Sequence, residues 1–447
     1  MRSLIRSLHG RRTYIRRIDC AYKRLKAVEM LGSKEVEGLA EETRSAFLQF
    51  CIEHVPFYRD AANREGVHNL NDWLKLPILT KDLIRAHSKE LRSEGHASLW
   101  VRQNTSGGST GEPVTFLQDD TYQVEMCAMK RVYDSWTGFQ YGQPKVILWG
   151  SERDLLEGRE HWRTHFARWM QNEHWINAFK MTEASMAATV DLINKRKPVQ
   201  ILAYVEAIST LCKFIKKNRL KVYAPHGIMT SAGTLYPEIR KEISETFQAP
   251  VYNRYGSREV GDMGSECSDD SGLLVHPMIH HLEIVRDDGS PCEAGEPGRI
   301  LVSCMTNRTM PLLRYDVGDV GVLKAETHDD VPAFQSLESV KGRVTDNFIN
   351  LEGARIHGEF FTHLLYHCDW VHKFRFHQRA DTSIDIYVVL APQIKLIDLK
   401  KECESIDQEI RKVMGEGCLL RWSSVRELES HANGKYRYVI SDTQQSF

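Results

Sequence analysis

Apolar and polar positions alternate along this chain with periods that change from helical to strand-like and back. Residues 35 to 66 carry a helical pattern ending in HVPFYRDAA, with Pro56 as a break, since its ring removes a backbone donor. LPILTKD (Leu76 to Asp82) and the segment to Leu99 lead into two strand-like runs, SLWVRQ and VTFLQ. Asp119 to Trp136 is again helical, and Lys145 to Gly150 (KVILWG) reads as a buried strand. Beyond it, helices at 183–195, 206–218 and 235–247 alternate with apolar strands at 199–203, 226–230 and 250–254. Strands apolar on both faces need cover on both faces, so the alternation predicts an α/β fold with a largely parallel, helix-covered sheet. After Gly272 short strands separated by turns take over (LLVHPM, HHLEIVRDDGSPCEAGEPG, RILVSC), the pattern of an antiparallel β subdomain.

Length changes this picture first. At 447 residues the chain exceeds the roughly 250–300 at which one hydrophobic core stops growing, so two or more domains are expected. Hydrophobic content of 42% and charged content of 27% are those of an ordinary soluble globular protein. A net charge of -1 gives no reason to expect a nucleic-acid partner. Ten cysteines stand singly, without CxxC pairs or a secretory signal, which fits reduced thiols in a cytoplasm. The first 26 residues are basic (Arg2, Arg6, Arg11, Arg12, Arg16, Arg17, Arg24) but have no signal-peptide apolar core, and no run is long enough to span a bilayer. A solvated helix face accounts for them better than docking to a membrane surface.

Candidate chemistry centres on TSGGSTGEP, from Thr105 to Pro113. Thr105, Ser106, Ser109 and Thr110 interleave with Gly107, Gly108 and Gly111, so main-chain N–H groups and hydroxyls can converge on a polyanion such as a triphosphate. The Gly-Lys-Ser/Thr ending of a P-loop is absent, and an ordinary Gly/Ser turn would read the same way. Ligands of helix-covered sheets sit at the carboxyl ends of strands. Two such ends are TSAG (Ser231, Gly233) and NRYGSRE (Tyr255, Gly256, Ser257, Glu259). Between residues 151 and 180, Trp162, Trp169, Trp175, His161, His165 and His174 mix with arginines; helix packing and an acid-binding wall both fit.

Four further strings stand in a telling order: GRILVS and PLLRYDVGD (Gly298 to Asp319), GRVTDNFINLEG (Gly342 to Gly353) and NGKYRYV (Asn433 to Val439). With the opening loop and YGSRE they resemble the adenylate-forming superfamily of acyl-CoA synthetases, adenylation domains and luciferases. PLLRYDVGD and HVPFYR point to its phenylacetate-CoA ligase branch and CapK relatives. The resemblance runs from about the first helices to the final lysine. It implies a large N-terminal domain (1–341, with 272–341 as the β subdomain), a hinge at 342–346 and a small mobile α+β C-terminal domain (347–447). It also implies activation of a carboxylic acid by ATP as an acyl-adenylate, then transfer to coenzyme A.

Roles follow from the resemblance residue by residue. The 105–111 loop would cradle the β- and γ-phosphates, Glu259 would help hold Mg²⁺, and Asp319 would accept both ribose hydroxyls. Arg343 would contact ribose or phosphate, Tyr255 with the Ser231–Gly233 turn would flank the adenine, and Lys435 would reach the reacting groups. For Asp319 a turn-forming aspartate in VGDVG is the competing reading. For Lys435 it is an exposed lysine on an Asn433-Gly434 turn between RWSSV and YRYVIS. Departures are Arg258 where the YGxTE pattern has a small hydroxyl residue, with Ser257 beside it, and Gly233 where relatives often carry an acid. Cys267, His276 and Cys304 suggest the structural metal of some relatives but lack a clear fourth ligand. Other outcomes of the resemblance are transfer to an amine or adenylylation of a hydroxyl, in polysaccharide, natural-product or coenzyme biosynthesis. A nucleotide-binding scaffold without catalysis is the reading from another class.

Overall fold

The computed structural model describes residues 2–105, 114–150, 168–178, 181–233, 235–325, 331–341, 348–356, 358–366, 368, 370–391, 399–428 and 438–443. The chain divides into two compact units: one takes 1–106, 114–141 and 251–342, the other mainly 142–250 and 343–447. No helix among the described residues is long and apolar enough to cross a membrane.

The first unit opens with α1 (Arg2–Val28), α2 (Ser33–His54) and α3 (Pro56–Glu65). Ile18, Ala21, Leu25 and Val28 are buried on α1, spaced so that they share one helical face. Pro56 starts α3, where its missing N–H costs nothing. A short α4 (Lys81–Ala86) precedes the antiparallel hairpin of β1 (Val101–Thr105) and β2 (Thr115–Asp119), in which Thr105 lies opposite Thr115. α5 (Asp120–Trp136) follows at once, capped by Asp119, whose Oδ1 accepts the Tyr122 N–H at 2.7 Å. The basic N-terminal stretch finds acids here: Arg17 donates to Asp120 at 2.6 Å and Arg24 to both Glu125 oxygens at 2.7 and 2.6 Å. Local charge counting cannot see such pairs, because their partners lie about a hundred residues away.

The second unit begins with β3 (Lys145–Trp149), β4 (Glu173–Asn177), α6 (Glu183–Arg196), β5 (Gln200–Tyr204), α7 (Val205–Lys217), β6 (Gly227–Ser231) and α8 (Pro237–Phe247). Its strands run in the order β6-β5-β3-β4, all parallel, and β5 and β6 are buried along their whole length. The expected alternation is therefore present, with boundaries moved by one or two residues. In the aromatic stretch, Arg168 stacks 4.1 Å from the Trp175 ring centroid and Trp175 donates to Glu173 at 3.0 Å. His161, Trp162 and His165 lie outside the described residues.

The chain then returns to the first unit as β7 (Val251–Ser257), β8 (Gly261–Ser265), β9 (Leu273–Val275), β10 (His280–Val285), β11 (Pro297–Cys304), β12 (Tyr315–Leu323) and β13 (Gln335–Lys341). Every neighbouring pair in the order β10-β11-β12-β13-β9-β8-β7 is antiparallel. Antiparallel pairing thus takes in β7 and β8 as well as the strands after Gly272. β8 (GDMGS) holds too few apolar residues to announce itself as a strand.

Residues after 347 build β14 (Phe348–Ile349), β15 (Arg355–Ile356), α9 (Gly358–Tyr366), β16 (Val371–Gln378), β17 (Ile384–Leu390), α10 (Leu399–Met414), β18 (Leu420–Ser424) and β19 (Val439–Ser441). The four-stranded sheet has the order β18-β17-β16-β19, and its core holds Phe348, Phe361, Phe376, Ile386 and Ile410. Gln378, fully buried, accepts the Ile349 N–H at 2.8 Å and donates to the Ile349 carbonyl at 2.6 Å. One expectation is corrected here. The runs flanking Asn433-Gly434 are not hairpin partners: β18 pairs parallel to β17, and β19 parallel to β16. They form opposite edges of the sheet, about three strand spacings or ~14 Å apart, and Asn433 and Gly434 themselves lie outside the described residues. An Asn-Gly pair favours a tight turn, but the burial of each strand's apolar face chooses its neighbour.

Candidate functional site

YGSRE is a hairpin element. β7 runs on to Ser257, turns through 258–260 and pairs back with β8. Gly256 is required by that pairing: a Cβ there would meet the Gly261 carbonyl at 2.8 Å and the Asp262 Cα at 3.0 Å. Gly261 closes the turn at φ +81°, a conformation that favours glycine. Glu259 sits in the turn and is 8% exposed. The turn is anchored by Gln118 of β2, whose side-chain amide donates to the carbonyls of Arg258 at 3.0 Å and Glu259 at 3.3 Å. The strand that leaves the Thr105–Pro113 stretch is therefore held directly against the Glu259 turn.

β12 carries the second acid. Opposite β11, five residues of β12 (Asp316 to Val320) match three of β11 (Leu301 to Arg299), so β12 bulges. Gly318 takes φ +85° in the bulge, and its N–H donates to Asp316 Oδ1 at 2.8 Å. Bulges of this kind re-aim side chains beside functional sites. Asp319 follows the bulge, and its Oδ2 accepts the Tyr255 hydroxyl at 2.9 Å. From the start of the same strand the buried Tyr315 hydroxyl donates to Glu259 Oε1 at 3.2 Å. Tyr255, Glu259, Tyr315 and Asp319 thus form two tyrosine–carboxylate pairs between two segments. The competing reading of Asp319 as the turn-former is answered, because Asp316 makes that turn.

The other expected residues divide between the units. Thr105 ends β1; Ser106, Gly107, Gly108, Ser109, Thr110 and Gly111 lie outside the described residues, as do Arg343 and Lys435. Ser231, 7% exposed, ends β6 in the second unit. Ala232 has φ +56°, and a Cβ on Gly233 would stand 3.1 Å from Val205 Cβ, so Val205 crowds the place where relatives often carry an acid. Ser257 keeps a buried Oγ with no hydrogen-bond partner among the described residues. A buried hydroxyl without a partner is costly, and a ligand oxygen would satisfy it.

His276 is engaged otherwise than by a metal. Its Nε2 lies 3.1 Å from the Leu25 carbonyl, to which it donates, and its Nδ1 accepts the Met278 N–H at 3.3 Å. Burial lowers its pKa to about 4, so it is the neutral ring that closes α1 onto the sheet. Cys304 Sγ lies 3.3 Å from the Thr306 hydroxyl. Reading the sequence missed Tyr315, Gln118 and Asp316. Spacing offered a signal for the first: Tyr315 precedes Asp319 by four residues, as Tyr255 precedes Glu259.

Residues 348–442 match the CapK C-terminal domain. Over 412 residues the chain is 23% identical to Protein CapK of Staphylococcus aureus, covering 89% of this chain and 87% of that protein. It is 22% identical over 351 residues to the phenylacetate-coenzyme A ligase of Thermus thermophilus, covering 74% of this chain and 75% of the other. The chain is thus similar over most of its length to CapK and to phenylacetate-CoA ligases, which are adenylate-forming proteins. Among solved structures, 2-hydroxyisobutyryl-CoA ligase in complex with 2-HIB-AMP and CoA shares this fold, with a TM-score of 0.56 and 15% identity. The alignment covers 92% of this chain and 91% of the ligase. The shared fold takes in the mixed sheets and the small C-terminal α/β domain. Which acid and which acceptor this member uses are matters of the site.

Proposed function

We propose that the protein activates a carboxylic acid with ATP and transfers the acyl group to coenzyme A. One observation carries the reading: two carboxylates, Glu259 and Asp319, are each held by a tyrosine hydroxyl from the other's segment. Four residues of extended chain span about 13 Å, and the turn and the bulge shorten that. Such a run suits a ligand with a diol at one end and a polyphosphate at the other, which describes ATP.

Asp319 would accept the ribose hydroxyls, since a carboxylate has lone pairs beyond the one Tyr255 uses. Glu259, Ser257 and the 105–111 stretch would face the phosphates, with the buried Ser257 hydroxyl supplying a donor. A nearly buried carboxylate with one tyrosine donor fits a Mg²⁺ partner, because that ion takes one or two carboxylates with phosphate oxygens and waters. When bound, the ion would neutralise charge on the polyphosphate. Attack of the substrate carboxylate on the α-phosphorus expels pyrophosphate and leaves the acyl-adenylate; the thiol of coenzyme A then displaces AMP. Arg343 and Lys435 would supply the remaining cations. The phenylacetate-CoA ligase relatives and the CoA-bound ligase of the same fold support this acceptor.

A second reading keeps the first half-reaction and changes the acceptor to an amine or a hydroxyl. The likeness to Protein CapK over 89% of the chain favours it. Acid-dependent ATP–pyrophosphate exchange across aryl, fatty, amino and uronic acids tests both, followed by product analysis with and without coenzyme A. Exchange together with a thioester product is expected. Exchange without a thioester supports the second reading. AMP binding with no exchange for any acid would leave a nucleotide-binding scaffold.

A further inference from the structure

Tyr255 and Tyr315 exchange partners across two segments. Tyr255 stands four residues before Glu259 and donates to Asp319 at 2.9 Å; Tyr315 stands four residues before Asp319 and donates to Glu259 at 3.2 Å. The two contacts cross, each tyrosine reaching the acid of the other segment. Tyr315 is fully buried, so its ring is fixed by packing and its hydroxyl is a set donor rather than a solvated one. Glu259 is nearly buried and its own backbone is clamped by Gln118, so the carboxylate has little freedom beyond the orientation Tyr315 gives it. Asp319 sits beyond the Gly318 bulge, the part of β12 least constrained by ladder bonds, and Tyr255 restrains it from outside the strand.

We propose that these tyrosines are positioning residues: Tyr315 aims the carboxylate that meets the polyphosphate end of the nucleotide, and Tyr255 aims the one that meets the ribose. Because each tyrosine is anchored on the segment bearing the other pair's acid, movement of the Glu259 turn is felt at Asp319, and the reverse. The exchange couples recognition of the two ends of one nucleotide without a residue that spans them. This rests on the ATP reading given above.

The phenylalanine variants separate the roles. Tyr315→Phe keeps the buried ring and removes only the donor; we expect half-saturating Mg²⁺ for pyrophosphate exchange to rise at least about tenfold, with metal-free AMP affinity by calorimetry within about twofold of the parent. Tyr255→Phe should do the opposite, weakening metal-free AMP binding at least about fivefold. If Tyr315 acts through Glu259, adding Tyr315→Phe to Glu259→Gln should change Mn²⁺ binding, measured by electron paramagnetic resonance with ATP present, no further. Equal losses of AMP and metal response in both single variants, or additive losses in the double variant, would make the tyrosines structural and overturn the proposal. The parent protein tests the underlying reading by itself: if it binds neither AMP nor ATP, the nucleotide assignment fails. If it binds them and Tyr315→Phe leaves the Mg²⁺ response unmoved, only the positioning proposal fails.

Discussion

Asp316 accepts the Gly318 N–H at 2.8 Å and takes the Arg299 guanidinium on its other oxygen at 2.9 Å. This aspartate therefore carries the turn and the ion pair that the sequence allows for either aspartate of YDVGD. Asp319 is left to meet Tyr255. Replacing Asp319 by alanine should weaken AMP and ATP together, by about 1.5–3 kcal/mol for each hydrogen bond to the charged group that is lost. Calorimetry on both nucleotides checks it, and Asp316→Ala should instead lower the melting temperature. Unchanged AMP affinity in folded Asp319→Ala would remove it from the ribose.

Glu259→Gln should leave the fold intact, because an amide can still accept the Tyr315 hydroxyl and the turn is fixed through backbone carbonyls by Gln118. Pyrophosphate exchange should fall at least ~10²-fold, on the scale of removing one group that stabilises transition-state charge. Near-parental exchange in the folded variant would return Glu259 to a role in packing the turn.

Acid should loosen the first unit through its buried histidines. His276 and His280 are held near pKa 4, and His281 near 3, mainly because burial disfavours the charged ring. Arg24 and His280 bear on His276 in the same direction, and Arg44 and Arg314 on His281. Each folded pKa lies below the ordinary 6.5, so the unfolded chain binds more protons in between. Stability from these rings is complete above pH 6.5 and falls as pH drops from 6.5 towards 4. The urea midpoint should drop across that window at constant ionic strength, and less steeply in His280→Gln. A flat midpoint from pH 6.5 to 4.5 would contradict the buried neutral state.

How much of this was legible depended on whether the signal was local. The helices and strands from 183 to 254 were read to within a few residues because their apolar periods are strong and short-ranged, whereas β4 (Glu173–Asn177) lay unread in the aromatic stretch. Glu259 and Asp319 were singled out by motif order, but their contacts with Tyr315 and Tyr255 were not, since a contact between residues 259 and 315 leaves no local pattern. The basic N-terminus misled for the same reason: Arg24 looks unopposed until Glu125 is brought beside it. The strand-like runs on either side of Asn433-Gly434 pair with β17 and β16 and not with each other, which no local preference reveals.

That correction alters how Lys435 would reach its target, and the last prediction turns on it. A hairpin tip would have held the lysine rigidly between two paired strands. Instead β18 and β19 lie at opposite edges of the sheet, and residues 429–437, with Lys435 among them, are outside the described residues. β19 itself is clasped to its neighbours: Ser441 donates to Gln378 Oε1 at 3.1 Å, and His377 Nε2 lies 2.8 Å from Asp442 Oδ1. Under the proposed function Lys435, four residues before β19, would bring its ammonium to a substrate carboxylate and an α-phosphate oxygen. Neutralising both as they approach matters only in the first half-reaction, because the second brings no carboxylate against a phosphate. Lys435→Ala should therefore lower pyrophosphate exchange at least ~10²-fold, or about 2.7 kcal/mol in barrier. The same variant should convert supplied acyl-adenylate and acceptor at close to the parental rate. Equal loss of both half-reactions would mean the lysine serves a structure common to them, and loss of neither would leave it a surface residue.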